Sequence, residues 1–554
     1  MRVSVKKWFK NGDPWVWFNA GAVAISMVMV FGLLWLIASR GLVHFWAHDV
    51  MQAEVTAKNG DRYTIIGELV ETVEVSADQL RDAGYSIPED LEHLDRNLMK
   101  IGNRDISGTD FRWILARDFS NITYPEDIIV MERREWGNFY GYLNEVIEND
   151  QVVAEGDQAW PALQERLDRA LDIYSQIHDI EKSDIGSINA GIERLRLQQR
   201  KLELEDRLTS QALADIEAER AALNAEYDGL QGRLIELYGL INRDKVRVQS
   251  MDGTQITVDL AKIVHAFQPN AMSIGDKIVF YIAKLYEFIS DEPREANTEG
   301  GIFPAIFGTV LMVIIMSIIV TPFGVIAAVY LREYAHQGTM TRIIRIAVNN
   351  LAGVPSIVYG VFGLGFFIYF VGSGVDKAFF PEALPSPTFG TGGLLWASIT
   401  LAILTLPVVI VATEEGLSRI PRSIREGSLA LGATKAETLW RVILPMASPA
   451  MMTGVILAIA RAAGEVAPLM LVGVVKLAPS LPLDGNYPYL HLDQKFMHLG
   501  FHIYDVGFQS PNVEAARPLV YATSFLLVAV IALLNLSAVA IRNRLREKYK
   551  ALEM

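Results

Sequence analysis

The order of apolar and polar positions divides the chain into two materials. A short polar lead-in gives way to an apolar stretch at about Asn19–Ala38, roughly 250 mostly polar residues follow, and five further apolar blocks fill the remainder. Those blocks lie near Ala305–Leu331, Val354–Val371, Leu394–Ala412, Pro449–Val475 and Leu519–Ala540. A helix needs about 20 apolar residues to cross a ~30 Å hydrocarbon core, so the pattern predicts six membrane spans. The first follows an aromatic anchor, Trp15-Val16-Trp17-Phe18, and ends at Ser39-Arg40 without a small-residue cleavage site, which reads as a retained span rather than a removed signal. Basic residues then set its direction. Arg2, Lys6, Lys7 and Lys10 precede the first span. Arg332, Arg342 and Arg345 follow the second, and Arg419, Arg422, Arg425, Lys435 and Arg441 follow the fourth. Arg542, Arg544, Arg546, Lys548 and Lys550 follow the sixth. In a six-span chain all four groups fall on one side, which places both termini in the cytoplasm and residues 48–300 outside.

The polar insert alternates where strands are expected. AEVTAKNGDRYTIIGELVETVEV turns at Asn59-Gly60 and VRVQSMDGTQITVDL turns at Asp252-Gly253, two hairpin signals of the I′ type. Between them, residues 162–242 read as helix. Steps of three and four run Ile188, Ile192, Leu195, Gln199, Leu202, Asp206, Thr209, Leu213, Ile216, Arg220, Leu223, Tyr227, Leu230, Leu234, Leu237 and Ile241, a heptad register that winds helices together. Asp206 and Arg220 sit badly in that seam, so an antiparallel helical hairpin is the alternative. Gly186 and Gly191 mark a further possible break. The insert reads as a rigid spacer or self-association stalk, as a dock for a substrate-binding protein or partner subunit, or as a sensor. None of its His, Asp and Glu residues shows metal-ligand spacing.

Composition narrows the classes. The chain is 554 residues with 51% hydrophobic and 21% charged residues, a net charge of −14 and no cysteine. Disulfides, cysteine-ligated zinc and thiol catalysis are therefore excluded, and an acidic chain without a basic stripe offers no electrostatic basis for nucleic-acid binding. No G-x4-GK-[ST] loop occurs, so the chain has no nucleotide-hydrolysing site of that kind and no cofactor is implied.

The most specific motif is EGSLALGATKAETLWRVILP, Glu426–Pro445, between two apolar blocks. It resembles the coupling loop of ABC-importer permeases, EAA-x3-GA-x8-I-x-LP. Glu426 opens it, Gly432 and Ala433 follow at the family's distance, and Val442, Leu444 and Pro445 close it; Gly427 and Ser428 replace two alanines by other small residues. Three further segments are similar to PstA, the permease family of phosphate importers: GGIFPAI before Gly308-Thr309, NNLAGVPSIVYGVFGL at Asn349–Leu364, and GVILAIARAAGEVAPLM at Gly454–Met470. The resemblance covers about residues 294–545. It implies a predominantly α, six-span permease with a MetI-like core (301–545, coupling loop 414–445), preceded by a first-span unit (1–47) and an α+β periplasmic insert (48–300) and followed by a cytoplasmic tail (546–554).

Two charges inside the fifth block carry the chemistry. Arg461 lies twelve residues after Pro449, about 18 Å along a helix at ~1.5 Å per residue, near mid-membrane, where an ionisable side chain is a functional candidate. Glu465, four residues on, sits on the same helix face and can neutralise it. A guanidinium offers a planar fork to an oxyanion, and the carboxylate can hold that fork when the path is empty; an ion pair facing a partner subunit is the structural alternative. Asn349 and Asn350 either cap the third span or face the path. Pro355, Pro407 and Pro468 predict bends, and Glu414-Glu415 belong either to the coupling loop's packing against the ATPase or to a solvated pair.

The resemblance further implies a bacterial inner-membrane location and a working unit of this chain, a PstC-like permease, a PstB-like ATPase dimer and a periplasmic phosphate-binding protein, PstS-like, all in membrane lipid. Glu426–Trp440 is expected to form one short helix lying on the ATPase, with Pro445 starting the fifth span. The rival readings are the PstC position itself, a permease for sulfate or molybdate, a permease for a cation or amino acid, and a non-transporting membrane scaffold or receptor.

Overall fold

The computed structural model describes residues 5–510 and 513–549. Arg2, Lys550 and the tail residues 550–554 lie outside the described residues. Among the described residues, six helices are long and apolar enough to cross a membrane: Asp13–Phe45, Phe303–Tyr334, Ser356–Phe379, Leu394–Arg419, Lys435–Gly464 and Ala516–Arg544. The molecule is a multi-pass membrane protein whose β-rich insert stands between the first and second spans.

The fourth span is the core's centre. It packs against the second and fifth, and Leu394, Ala397, Leu401, Leu404 and Val409 along it are fully enclosed. Lipid tails are as apolar as leucine, so helices hold together in a membrane by close packing of small residues rather than by the hydrophobic effect. The chain supplies them at each crossing. A Cβ on Gly416 would stand 2.5 Å from the Ala450 methyl, and one on Gly454 would stand 2.7 Å from Ala412.

The fifth helix differs in extent from the sequence expectation. It starts at Lys435, inside the coupling segment, and stops at Gly464 rather than running to Val475. Pro445 therefore lies within a continuous helix instead of opening one. The turn before it, Leu439–Ile443, is wound wide, with the Leu444 amide donating to the Leu439 carbonyl five residues back; such turns accommodate a proline's missing donor.

The insert holds two antiparallel sheets. The first contains β1 (Val50–Thr56), β2 (Arg62–Ser76), β3 (His93–Lys100), β4 (Phe111–Leu115) and β5 (Phe119–Thr123), in the order β4-β3-β2-β1-β5. The second contains β6 (Ile128–Arg133), β7 (Asn138–Glu148), β8 (Gln151–Glu155), β9 (Asp244–Gln249), β10 (Gln255–Asp259) and β11 (Ile263–Phe267), in the order β10-β9-β7-β6-β11 with β8 beside β7. Both expected hairpins form, β1–β2 and β9–β10, but not through two-residue turns. Each has a five-residue loop with a single left-handed glycine, Gly60 at φ 87° and Gly253 at φ 83°. Asn59 and Asp252 close these loops by accepting the amides of Asp61 and Thr254.

Helix Ala159–Asp179 lays Leu163, Leu167, Ala170, Ile173 and Ile177 on the second sheet, a spacing of three and four that keeps one face inward. The remaining helical stretch folds back on itself. Ile185–Leu204 and Ser210–Ile241 pack as a hairpin, the alternative the two misfit residues had raised. Asp206 occupies the turn at φ 52°, and Arg220 donates to the Gln199 side chain of the facing helix at 3.1 Å. A seam with polar residues at inner positions is stable only where they pair across it or leave it.

The insert is seated on the spans. Gly41 of the first span touches the backbone of Ala522 in the last, the Phe45 ring packs at a tilt against Phe288, and Asn297 donates to the Lys476 carbonyl at 3.0 Å.

Candidate functional site

Arg461 occupies the last turn of the fifth helix. That helix ends for a local reason. Pro468 has no N–H to give the Gly464 carbonyl, and its ring clashes with the carbonyl four residues back, so the helix cannot continue. Glu465 takes an extended conformation (ψ 133°) and a second short helix, Ala467–Val472, follows. Glu465 is thus not on the same helix as Arg461; it is the first residue past the end. The two still meet, Arg461 Nε to Glu465 Oε1 at 3.5 Å. Arg461 makes no hydrogen bond and no other ion pair among the described residues, so its fork of N–H donors stays open. The side chains are 31% and 19% exposed, neither sealed nor freely solvated.

The walls around the break are tight. A Cβ on Gly360 would lie 2.6 Å from the Pro468 Cα, and one on Gly363 would lie 2.5 Å from the Thr400 hydroxyl. Tyr359, buried on the third span, lies within reach of the Arg461 charge and donates its hydroxyl to the Leu351 carbonyl at 2.7 Å. Sequence reading missed Tyr359, which stands inside the motif at Asn349–Leu364 without a charge to mark it. Asn349 and Asn350 are not brought to Arg461 by any hydrogen bond. They are exposed at the end of helix Thr339–Leu351, and neither caps the third span, whose N-cap is Pro355.

At the other end, Glu426–Trp440 is not one helix. Arg422–Ala430 ends at a tight turn where Gly432 takes φ 87°, and the next helix begins with Thr434 and Glu437 capping one another. Ser428 and Thr438 join the two helices through their hydroxyls at 2.9 Å. Ala433, Val442 and Pro445 are half-buried and Leu444 is buried, whereas Glu426, Gly427, Gly432 and Arg441 are exposed. Leu431 is 91% and Trp440 68% exposed.

This segment is clamped to the spans by ion pairs, one of them to Glu333, which sequence reading left without a role. Arg425 donates to Glu333 at 2.9 Å and to the Leu417 and Ile420 carbonyls, and Arg345 donates to Glu414 at 2.6 Å. Glu414 is therefore a packing residue and Glu415, with its distant partner Arg419 at 3.9 Å, a solvated one.

In the insert, folding gathers a cluster that spacing along the chain did not show: Glu132, His265 and Glu287 present ligand atoms within 4.8 Å of one another. Lys284 already sits between both carboxylates, and Arg294 donates to Glu287 at 3.0 Å. Although burial would raise it, the His265 hydrogen bond and the Lys284 charge hold the Glu287 carboxyl well below the usual range. An ammonium in that position supplies the positive charge a metal would bring, and the cluster reads as a structural ion network.

Residues 320–550 match the family of binding-protein-dependent transport system inner membrane components. The phosphate transport system permease protein PstA 1 of Mycobacterium tuberculosis (strain CDC 1551 / Oshkosh) is 35% identical over 247 residues, 44% of this chain and 71% of that protein. The chain belongs to the PstA-type ABC permeases. The match to the transport-component family begins at residue 320, so the insert lies outside it. The probable ABC transporter permease protein YqgH of Bacillus subtilis (strain 168) is 34% identical over 194 residues, 35% of this chain and 59% of that relative, less than two thirds of its length. An inward-facing structure of the MetNI methionine ABC transporter aligns with 44% of this chain and 94% of its own at 18% identity and a TM-score of 0.31, too distant to transfer detail. PstA-type permeases are transport subunits and not themselves the catalyst.

Proposed function

We propose that this permease carries inorganic phosphate across the bacterial inner membrane into the cytoplasm, with ATP hydrolysed by a separate PstB-like ATPase dimer. The observation that carries it is Arg461: a half-buried guanidinium at a helix break, with its donors open and a single carboxylate beside it. A planar fork binds a tetrahedral oxyanion through two parallel hydrogen bonds, and Glu465 competes for it when no anion is present. The relatives are named phosphate transport permeases, which favours phosphate over sulfate or molybdate. A cation is disfavoured by the charge of Arg461 itself.

Exposed Leu431, Trp440 and Glu426 form the surface that would seat in the ATPase groove. Because the helix from Lys435 runs unbroken to Gly464, a displacement at the groove is delivered directly to Arg461. The working complex is one copy of this chain with a PstC-like permease, the ATPase dimer and a PstS-like binding protein. Both termini face the cytoplasm and residues 48–300 the periplasm, following the basic flanks. Asn349 and Asn350 remain candidates for the path in a different transport state.

The test is uptake of radiolabelled phosphate in cells lacking this gene, complemented with wild type, Arg461→Ala or Glu465→Gln. Uptake restored by wild type and not by Arg461→Ala, and competed by phosphate rather than sulfate or molybdate, supports the reading. Full uptake with Arg461→Ala, or competition by sulfate alone, overturns it.

A further inference from the structure

The helix Ile274–Ser290, which leads from the insert toward the second span, has its polarity inverted. Ile274, Ile278, Val279, Ile282, Tyr286 and Ile289 are between 46% and 75% exposed. At 3.6 residues per turn these six fall within about 140° of arc, one continuous outward stripe.

The charges of the same helix point the other way. Lys277 pairs with Asp49, Lys284 with Glu132 and Glu287, and Glu287 also with Arg294. The one remaining charged side chain, Asp276, is spent at the helix's first turn, where it accepts from the Ser273 amide and hydroxyl. A helix that borders water turns its charges outward and its apolar stripe toward the core. This one does the reverse, and an exposed apolar face of that extent marks contact with an apolar medium or partner.

Its attachments say which. The last turn is fastened to the start of the second span, where the Ile302 and Phe303 amides donate to the Phe288 and Asp291 carbonyls at 2.9 and 3.1 Å. The inner face is fastened to the end of the first span, Phe288 against Phe45 with centroids 4.9 Å apart and Tyr281 against Trp46 at 6.0 Å. Both spans leave the hydrocarbon there, so the stripe begins where their lipid-facing sides end, beside a Trp and a Tyr, the residue types that settle at the membrane boundary. Its chemistry agrees. The stripe carries no charge and a single hydroxyl, on Tyr286, whereas a surface that meets another protein is only about 57% apolar and is laced with hydrogen bonds.

We propose that Ile274–Ser290 is an interfacial helix, lying along the bilayer with its apolar stripe among the acyl chains of the leaflet on the insert's side. It holds the insert against the membrane surface instead of above it. The attraction is hydrophobic: Asp276 and Glu287 balance Lys277 and Lys284, so the helix does not depend on anionic headgroups.

The chain has no cysteine, so single labels can be placed in the full-length protein. Ile278→Cys, Ile282→Cys and Tyr286→Cys, each carrying an environment-sensitive fluorophore, are reconstituted alone in dioleoyl phosphatidylcholine vesicles with or without doxyl-labelled lipid. Val28→Cys, 71% exposed on the first span, reports lipid, and Asn59→Cys, in the exposed loop between β1 and β2, reports water. The three helix labels are expected to emit to the blue of Asn59→Cys, to lose emission to doxyl lipid and to resist aqueous iodide, with no change when phosphatidylglycerol is mixed in. Ile278→Asp combined with Ile282→Asp should open the Tyr286→Cys label to iodide, while Ile278→Leu combined with Ile282→Leu should keep it protected. Labels that iodide quenches and doxyl lipid does not overturn the proposal. So does protection from iodide without doxyl quenching, which assigns the face to a second copy of the chain, or doxyl quenching that requires phosphatidylglycerol, which assigns the contact to headgroup charge.

Discussion

The permease core and the insert use charge in opposite ways. In the core, Arg461–Glu465 stands at a helix break, and Arg345–Glu414 and Arg425–Glu333 stand where the coupling segment meets the spans. Cohesion there comes from small residues that let helices touch, such as Gly416 against Ala450. In the insert, ion pairs are abundant and serve packing. Arg133 forks onto Asp105 at 2.8 and 2.9 Å, and Arg169 reaches fully buried Asp244. The difference follows from solvent. Lipid offers a charge no hydration, so one is retained only where it has a task, whereas beside water a charge can be kept for geometry alone.

That contrast can be broken from either side. The largest expected effect is in the insert: Arg133→Ala leaves Asp105 and the Gly137 and Trp136 carbonyls without their donor and should destabilise it by about 3 kcal/mol, seen as earlier proteolysis of residues 48–300 with the spans intact. Arg461→Ala should do the reverse, leaving thermal unfolding unchanged and cutting phosphate uptake about 10- to 100-fold, the range for a charge-assisted hydrogen bond. If Arg461→Ala instead lowered stability as much as Arg133→Ala does, the two regions would not differ as argued.

Gly454→Val tests how the core coheres. The added methyls meet Ala412 and Val409, and a loss of about 1–3 kcal/mol is expected by unfolding in detergent, because an overpacked helix crossing cannot relax. A smaller effect concerns pH. Burial lowers His502 to about 4, beside the Asp505–Lys476 pair at the foot of the insert. Its folded value lies below the unfolded 6.5, so the unfolded chain binds the extra proton between those limits. Stability is then complete above about 6.5 and declines toward 4, and His502→Phe should flatten that slope in melts across the range. The smallest effect is Arg196→Ala, an exposed pair with Glu193 on the helical hairpin, expected to melt indistinguishably from wild type.

Some of this was legible residue by residue. Hydropathy alone located all six spans, since a 20-residue apolar run has no other stable use, and the glycine-containing loops of both hairpins were visible as Asn59-Gly60 and Asp252-Gly253. The coupling segment was visible because Glu426, Gly432 and Pro445 occupy a polar gap between apolar blocks. The fifth helix's limits were harder. Pro445 reads as a start and Pro468 as a bend, yet the first is absorbed after a wide turn while the second ends the helix, because Pro468 has no N–H to give the Gly464 carbonyl.

Sequence by itself determined the number of spans and the one arginine inside an apolar block, since each of these is a local property of composition and spacing. Tertiary structure alone decided that Glu465 meets Arg461 from beyond a helix end, that Arg425 finds Glu333 at a separation of 92 residues, that the long heptad stretch closes into a hairpin, and that Lys284 turns inward to Glu132. Those pairings depend on where distant segments come to rest, and no period along the chain encodes a contact between residues that folding alone brings together.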